Sequence, residues 1–226
     1  MRKLLTPKKF PKYKKFTFAA MEEKKLHIIK NVGLLYLKFG IRNVTMDQVA
    51  NEFGISKKTL YQYFKDKEDL VSHVVDHFLS NPEMNISNPE AGNAIDDMFY
   101  IRERVAQLLK LYNNNVEIEL KRTYPHLYEK VYETKRQRIF DNTNENMKKG
   151  MEEGLYRKDL EPTFIAKLQL GRTLYTMNPD YNIFEEYELH SLAFFDNIMD
   201  YHMHAVCTAE GLEYYKKRLK IVQNEN

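Results

Sequence analysis

Residues 45–69 read TMDQVANEFGISKKTLYQYFKDKED. Thr45-Met46-Asp47-Gln48 fits a capping box, in which a hydroxyl and an amide satisfy free backbone donors at a helix start. Val49, Ala50 and Phe53 give the helix that follows a short apolar face, and Gly54 ends it. Ser56 is a good cap for another helix over Lys57–Tyr63, and Asp66 for one from Lys67 to about Leu79. Two short helices joined by a tight Gly54-Ile55-Ser56 turn make a helix-turn-helix. The arrangement asks for a small residue at the helix crossing, which Ala50 supplies. It also asks for a turn residue that tolerates unusual dihedrals, which Gly54 supplies. Leu60 and Phe64, four apart, face the core. Lys57, Lys58, Thr59, Tyr61 and Gln62 include the solvent face. Such a face can enter a major groove, where lysine donates to guanine O6 and N7 and glutamine pairs with adenine.

Outward from this stretch the pattern stays helical. Ile28, Val32, Leu35 and Phe39, flanked by Ile29 and Tyr36, predict a helix over Met21–Gly40. Beyond the polar loop after Pro82, helices are expected at about 93–112, 116–121, 125–149, 162–177, 185–206 and 209–222. No convincing alternating strand and no repeat occurs. The expected fold is all-α, with roughly nine or ten helices: a three-helix DNA-binding domain over 21–67, then a helical bundle over 68–226. Residues 1–20 stand apart, with seven basic residues, no acid, and Pro7 and Pro11. They suit a solvated tail or an arm along DNA phosphates.

The formal net charge of +3 conceals a division. Residues 1–70 hold 16 Lys and Arg against 7 Asp and Glu, whereas 71–226 hold 19 against 25. One end is suited to a phosphate backbone and the rest is not. No run of 18 or more apolar residues occurs, which argues against a membrane span. Met1–Phe10 has no apolar signal core, and a single cysteine, Cys207, excludes an intrachain disulfide. The expected compartment is the cytoplasm.

The stretch resembles the DNA-binding domain of the tetracycline-repressor (TetR) family of bacterial regulators. The resemblance rests on Phe39-Gly40, Thr45, Val49-Ala50, Gly54-Ile55-Ser56-Lys57, Thr59-Leu60-Tyr61-Gln62-Tyr63-Phe64 and Lys65-Asp66-Lys67-Glu68-Asp69-Leu70, and covers about 26–71. It implies phosphate contacts at Thr45, Tyr63 and Lys67, and a groove-facing set of Ser56, Lys57, Lys58, Thr59, Tyr61 and Gln62. Lys58 departs from the family pattern, where Gly or Ala often stands, so base preference there does not carry over. The resemblance further implies a homodimer on a double-stranded DNA operator. It also implies a repressor released by a small-molecule effector enclosed by the middle helices. By position in the chain, the pocket candidates are Met98, Tyr100, Arg104, Tyr124, Tyr128, Phe140, Phe164, Tyr175 and Met177, with core packing the alternative for each. Arg104, if buried, needs an acidic partner.

The helices expected at 162–177 and 185–206 carry apolar residues on more than one stripe, which fits burial against both the chain's own core and a symmetry mate. His73 and His77 sit four apart without a third ligand. His202, His204 and Cys207 are poorly spaced for chelation, and Glu152 and Glu153 read as a solvated helix end. No phosphate-cradling glycine loop, serine elbow or triad occurs. The expectation is therefore a non-enzymatic regulator without cofactor or metal. The alternative is a helical protein-interaction or architectural module with no effector.

Overall fold

The computed structural model describes all residues except 1–12, 82–91, 112–114, 177, 179–180, 182, 190 and 225–226, and it describes 13–19, 111, 115, 186 and 224 by backbone only. The described residues form eleven helices: α1 (Tyr13–Phe39), α2 (Met46–Glu52), α3 (Lys57–Tyr63), α4 (Lys67–Ser80), α5 (Ala94–Leu111), α6 (Asn115–Thr123), α7 (Pro125–Glu152), α8 (Pro162–Thr176), α9 (Glu186–Leu189), α10 (Leu192–Val206) and α11 (Ala209–Asn224). Their one β feature is an isolated bridge between Tyr156 and Cys207. None of the helices is long and apolar enough to cross a membrane. The all-α architecture agrees with the sequence pattern.

Two expectations about the helices change. The first helix begins at Tyr13 rather than Met21, because the last proline before it is Pro11 and nothing afterwards interrupts the ladder. The second half of the expected arm is thus helical, while residues 1–12 lie outside the described residues. The helix expected over 185–206 is two helices, because Ser191 starts α10 afresh: its side chain accepts the Phe194 amide at 3.1 Å.

The chain divides into two compact units, Met1–Phe78 and Leu79–Asn226. In the first, Ile28, Ile29, Val32 and Tyr36 of α1 are buried, together with Val49 and Ala50 of α2, Leu60 of α3, Phe64, and Leu70, Val71, Val74 and Val75 of α4. Phe39, expected to extend the α1 stripe, is 47% exposed. The stripe instead follows the i, i+4, i+8 row 28–32–36. A division after Lys67 places α4 with the C-terminal bundle; by packing, its residues up to Phe78 go with α1–α3. Phe78 lies so close to Gly33 that a Cβ there would stand 2.2 Å from its ring.

The second unit is built on Ala94, Ile95 and Phe99 of α5, Met147 of α7, Met199, Met203 and Val206 of α10, and Tyr215 of α11. The turn after α7 inserts Leu155 and Tyr156 into this core. Thr208 joins that turn to the start of α11. Its amide donates to the Leu155 carbonyl at 2.9 Å, and its hydroxyl oxygen accepts the Gly211 amide at 3.1 Å. Glu153, exposed as expected, also caps α5 by accepting the Ala94 amide at 2.8 Å.

Candidate nucleic-acid interface

The helix-turn-helix is set by three side-chain caps. The Thr45 hydroxyl accepts the Gln48 amide at 3.2 Å, and Gln48 Oε1 accepts the Thr45 amide at 2.7 Å, completing the capping box. The Ser56 hydroxyl accepts the Thr59 amide at 3.0 Å and lies 2.8 Å from the Thr59 hydroxyl. Asp66 Oδ1 accepts the Asp69 amide at 2.9 Å at the start of α4. Between α2 and α3, Gly54 takes φ +59°, a conformation open to glycine at little cost. These contacts fix α2, the turn and α3 before any partner binds.

Leu60 is fully buried and Phe64 is 1% exposed, so α3 is anchored along one side. Lys57, Lys58, Tyr61 and Gln62 are exposed and follow i, i+1, i+4, i+5, one continuous outer face. Thr59 and Tyr63 are half-buried at its edges, and the Tyr63 ring packs against Phe64 with centroids 6.3 Å apart. Ser56 and Thr45 stand exposed at the starts of α3 and α2. Lys67, half-buried, directs its ammonium to the Arg42 carbonyl at 3.3 Å. Of the nine residues named from the sequence, six thus lie on α3, Ser56 and Thr45 cap α3 and α2, and Lys67 opens α4. Such a face can offer lysine, glutamine and tyrosine hydroxyl donors to base edges while capped hydroxyls meet phosphates.

One residue of this face escaped the sequence reading. Asp47 Oδ1 lies 2.7 Å from Lys57 Nζ, both side chains more than half exposed. Hydrogen bonding to the Asp47 carboxylate, and then its charge, raise the Lys57 ammonium above the usual lysine range. The available signal was an acid in a segment where bases outnumber acids more than two to one.

The residues named for an effector pocket separate into groups. Met98 packs on the core of the second unit. Tyr100, Arg104, Tyr124, Tyr128 and Phe140 are half-buried. Tyr128 stacks on Tyr132, and Arg104 donates to Gln107 Oε1 at 2.7 Å. On the same helix Arg102, which the sequence reading did not name, pairs with an acid: its Nε and Nη2 donate to the two oxygens of Asp196 at 2.7 and 2.9 Å. Phe164 and Tyr175 are exposed and share an outward face of α8 with Leu168, since 164, 168 and 175 repeat at helical spacing. Met177 lies outside the described residues. Among the described residues no group of three or more His, Cys, Asp and Glu could hold a metal ion. His202 is buried, and its pKa falls to about 4 because burial, then the nearby Arg172 charge, disfavour its protonated form.

Residues 34–74 match the family model for bacterial regulatory proteins of the tetR family. Over 75 residues the chain is 37% identical to the uncharacterized HTH-type transcriptional regulator YerO of Bacillus subtilis (strain 168), covering 32% of this chain and 26% of that protein. A 46-residue stretch is 41% identical to an HTH-type transcriptional regulator of Staphylococcus aureus (strain bovine RF122 / ET3-1), covering 20% and 25%. The matched stretch spans about a quarter of the length of these curated relatives. Among solved structures, a TetR-family transcriptional regulator from Cytophaga hutchinsonii superposes with a TM-score of 0.61 at 15% identity, over 84% of this chain and 97% of that one. A TetR transcriptional regulator from Chloroflexus aurantiacus J-10-FL gives 0.60 at 14%, over 84% and 100%. At these identities the likeness is one of fold. The sequence match falls on the helix-turn-helix, which is a DNA-binding segment of the tetR type, and the likeness of fold continues through the second unit.

Proposed function

We propose that this chain is a dimeric, sequence-specific DNA-binding repressor of transcription, released from its operator by a small molecule bound in the second unit. The observation that carries the DNA-binding reading is the outer face of α3. Four adjacent donors stand exposed on a short helix whose start, turn and anchor are already fixed. Rigid presentation lowers the cost of ordering on binding.

Pairing of two copies finds support on α8. Phe164, Leu168, Gly171 and Tyr175 follow steps of four, three and four, and all are exposed. Gly171 has no heavy atom within 4 Å of where a Cβ would stand, so nothing in its own unit requires a glycine there. A glycine inside a helix costs about 1 kcal/mol relative to alanine, and close approach of a second helix accounts for that cost. Tyr201 of α10, 70% exposed, borders this face beneath the Arg172 guanidinium, which lies 5.6 Å from its ring centroid. A two-fold pair presents two α3 helices, as paired half-sites require. For the effector, the half-buried residues among Tyr100, Arg104, Tyr124, Tyr128 and Phe140 are the proposed lining, with Phe164 and Tyr175 assigned to the pairing face instead.

The test is a mobility-shift titration of the full chain on the promoter fragment of its own gene. The Lys57→Ala, Tyr63→Ala double variant weakens binding about 100-fold, as expected for one base and one phosphate contact. Unchanged affinity at fixed salt would sink the site assignment. Native mass spectrometry of the purified chain checks dimer mass and a retained small molecule together.

A further inference from the structure

Lys57 and Lys58 are neighbours on the exposed face of α3, yet they are held differently. Lys57 is paired with Asp47 at 2.7 Å, whereas Lys58 makes no ion pair among the described residues. Asp47 is the second residue of α2, the helix that crosses the phosphate backbone when a helix-turn-helix docks. Neither the cap nor the core needs it. Thr45 and Gln48 close the capping box between themselves, and the Asp47 side chain is 64% exposed. Exposed ion pairs add little to stability, so the consequence of this pair lies in binding.

We infer that Asp47 sets the specificity of the DNA interface by holding Lys57 over the outer face of α3 and away from phosphates. This rests on the reading of α3 as the groove-entering helix. Attraction to any duplex comes from lysines that reach phosphates and release counterions. A lysine neutralised and tethered by a carboxylate contributes little to that attraction. The carboxylate itself repels phosphates in any misplaced register. An ammonium has three donors. One goes to Asp47, which leaves two for a base edge and fixes the stem that aims them. Contact with guanine O6 and N7 in the correct register is therefore kept, while the sequence-independent contact is lost. Specificity is a difference of affinities, and Asp47 enlarges it by lowering the wrong one.

The experiment uses the full-length wild type, Asp47→Asn, Asp47→Glu, Lys57→Gln and the Asp47→Asn, Lys57→Gln double variant. Each is titrated by fluorescence anisotropy across a salt series against two duplexes: one enriched from a random pool by the wild type, and a scrambled duplex of the same composition. Circular-dichroism melts confirm that each variant is folded. Asp47→Asn should bind the scrambled duplex about threefold more tightly. Its log–log salt dependence should steepen by about one ion. The enriched duplex should change less, so discrimination falls. Asp47→Glu should restore discrimination, and Asp47→Asn should have no further effect once Lys57 is Gln. Three results overturn the inference: an unchanged salt slope and ratio; an Asp47→Asn effect that persists without Lys57; or a loss confined to the enriched duplex, which would mean that the carboxylate reads a base directly. If the wild type enriches no sequence and binds neither duplex at any salt, the DNA-binding reading fails, and the role of Asp47 with it.

Discussion

Both units are helical, but their polar contacts run on different scales along the chain. In the first unit the bonds that shape the interface join residues three apart: Thr45 with Gln48, Ser56 with Thr59, Asp66 with Asp69. In the second, Ala94 meets Glu153, Arg102 meets Asp196 and Asp96 meets Tyr214, separations of 59, 94 and 118 residues. Glycine is used differently too. Gly54 supplies a backbone conformation in open space, while Gly211 supplies room: a Cβ on it would stand 2.1 Å from the Leu155 carbonyl oxygen. Local caps leave the surface of the first unit available to a partner. The second unit spends its polar groups on holding distant segments together, and so is vulnerable at single points far from any surface.

Four substitutions or conditions break or sharpen this contrast. Gly211→Ala forces a methyl against fixed backbone and should destabilise the second unit by about 3 kcal/mol. Hydrogen exchange should show faster opening of α5, α10 and α11 with α2 and α3 unaffected; equal loss in both units would break the contrast. Lys149→Met comes next. Lys149 Nζ lies 3.0 Å from Asp97, a carboxylate 5% exposed whose pKa burial raises despite this partner. Removing the ammonium strands that carboxylate and should cost about 2 kcal/mol, a partial share of the penalty for breaking a fully buried pair, read as a lower urea midpoint.

Acidification tests the second unit through His202. The unfolded chain takes up a proton on this side chain near its ordinary value of 6.5, the folded chain only near about 4. The stability that depends on a neutral His202 is therefore intact above 6.5 and is lost as pH falls from there toward 4. Between pH 7 and pH 5 the loss should be on the order of 2 kcal/mol, and His202→Gln should abolish that part of the slope. A wild-type profile equal to that of the variant would refute the assignment. Smallest is Gly54→Ala, about 1 kcal/mol, from the left-handed conformation alone. A larger loss in a thermal melt would mean that the turn is also sterically tight.

The same contrast explains what was legible in the sequence. A capping box, a Ser N-cap and a stripe at steps of four are written within a few residues, so α3 is found at its observed bounds, α2 to within a residue or two, and the exposed face of α3 with them. Asp47 was missed because its partner lies ten residues on, across a turn. In the second unit the helices themselves were readable, because periodicity is local. The partners were not. Arg102 and Arg104 are two apart on one helix, and only the placement of α10 decides which of them meets Asp196. Glu153 looks like any acid at a helix end until α5 is seen to begin beside it. Phe164 and Tyr175 carry the same apolar signal as a pocket residue, and only burial separates an outer face from an inner one.

The chain has one thiol, at Cys207, 8% exposed and with a pKa pushed up to about 11 by burial. A thiolate is the species that reacts with alkylating reagents, and at neutral pH this one is scarce as well as shielded. The folded chain is thus nearly silent to iodoacetamide, and its labelling rate counts the openings of the segment where Tyr156 and Cys207 bridge. The second unit carries a native reporter of its own unfolding, with no background from the first.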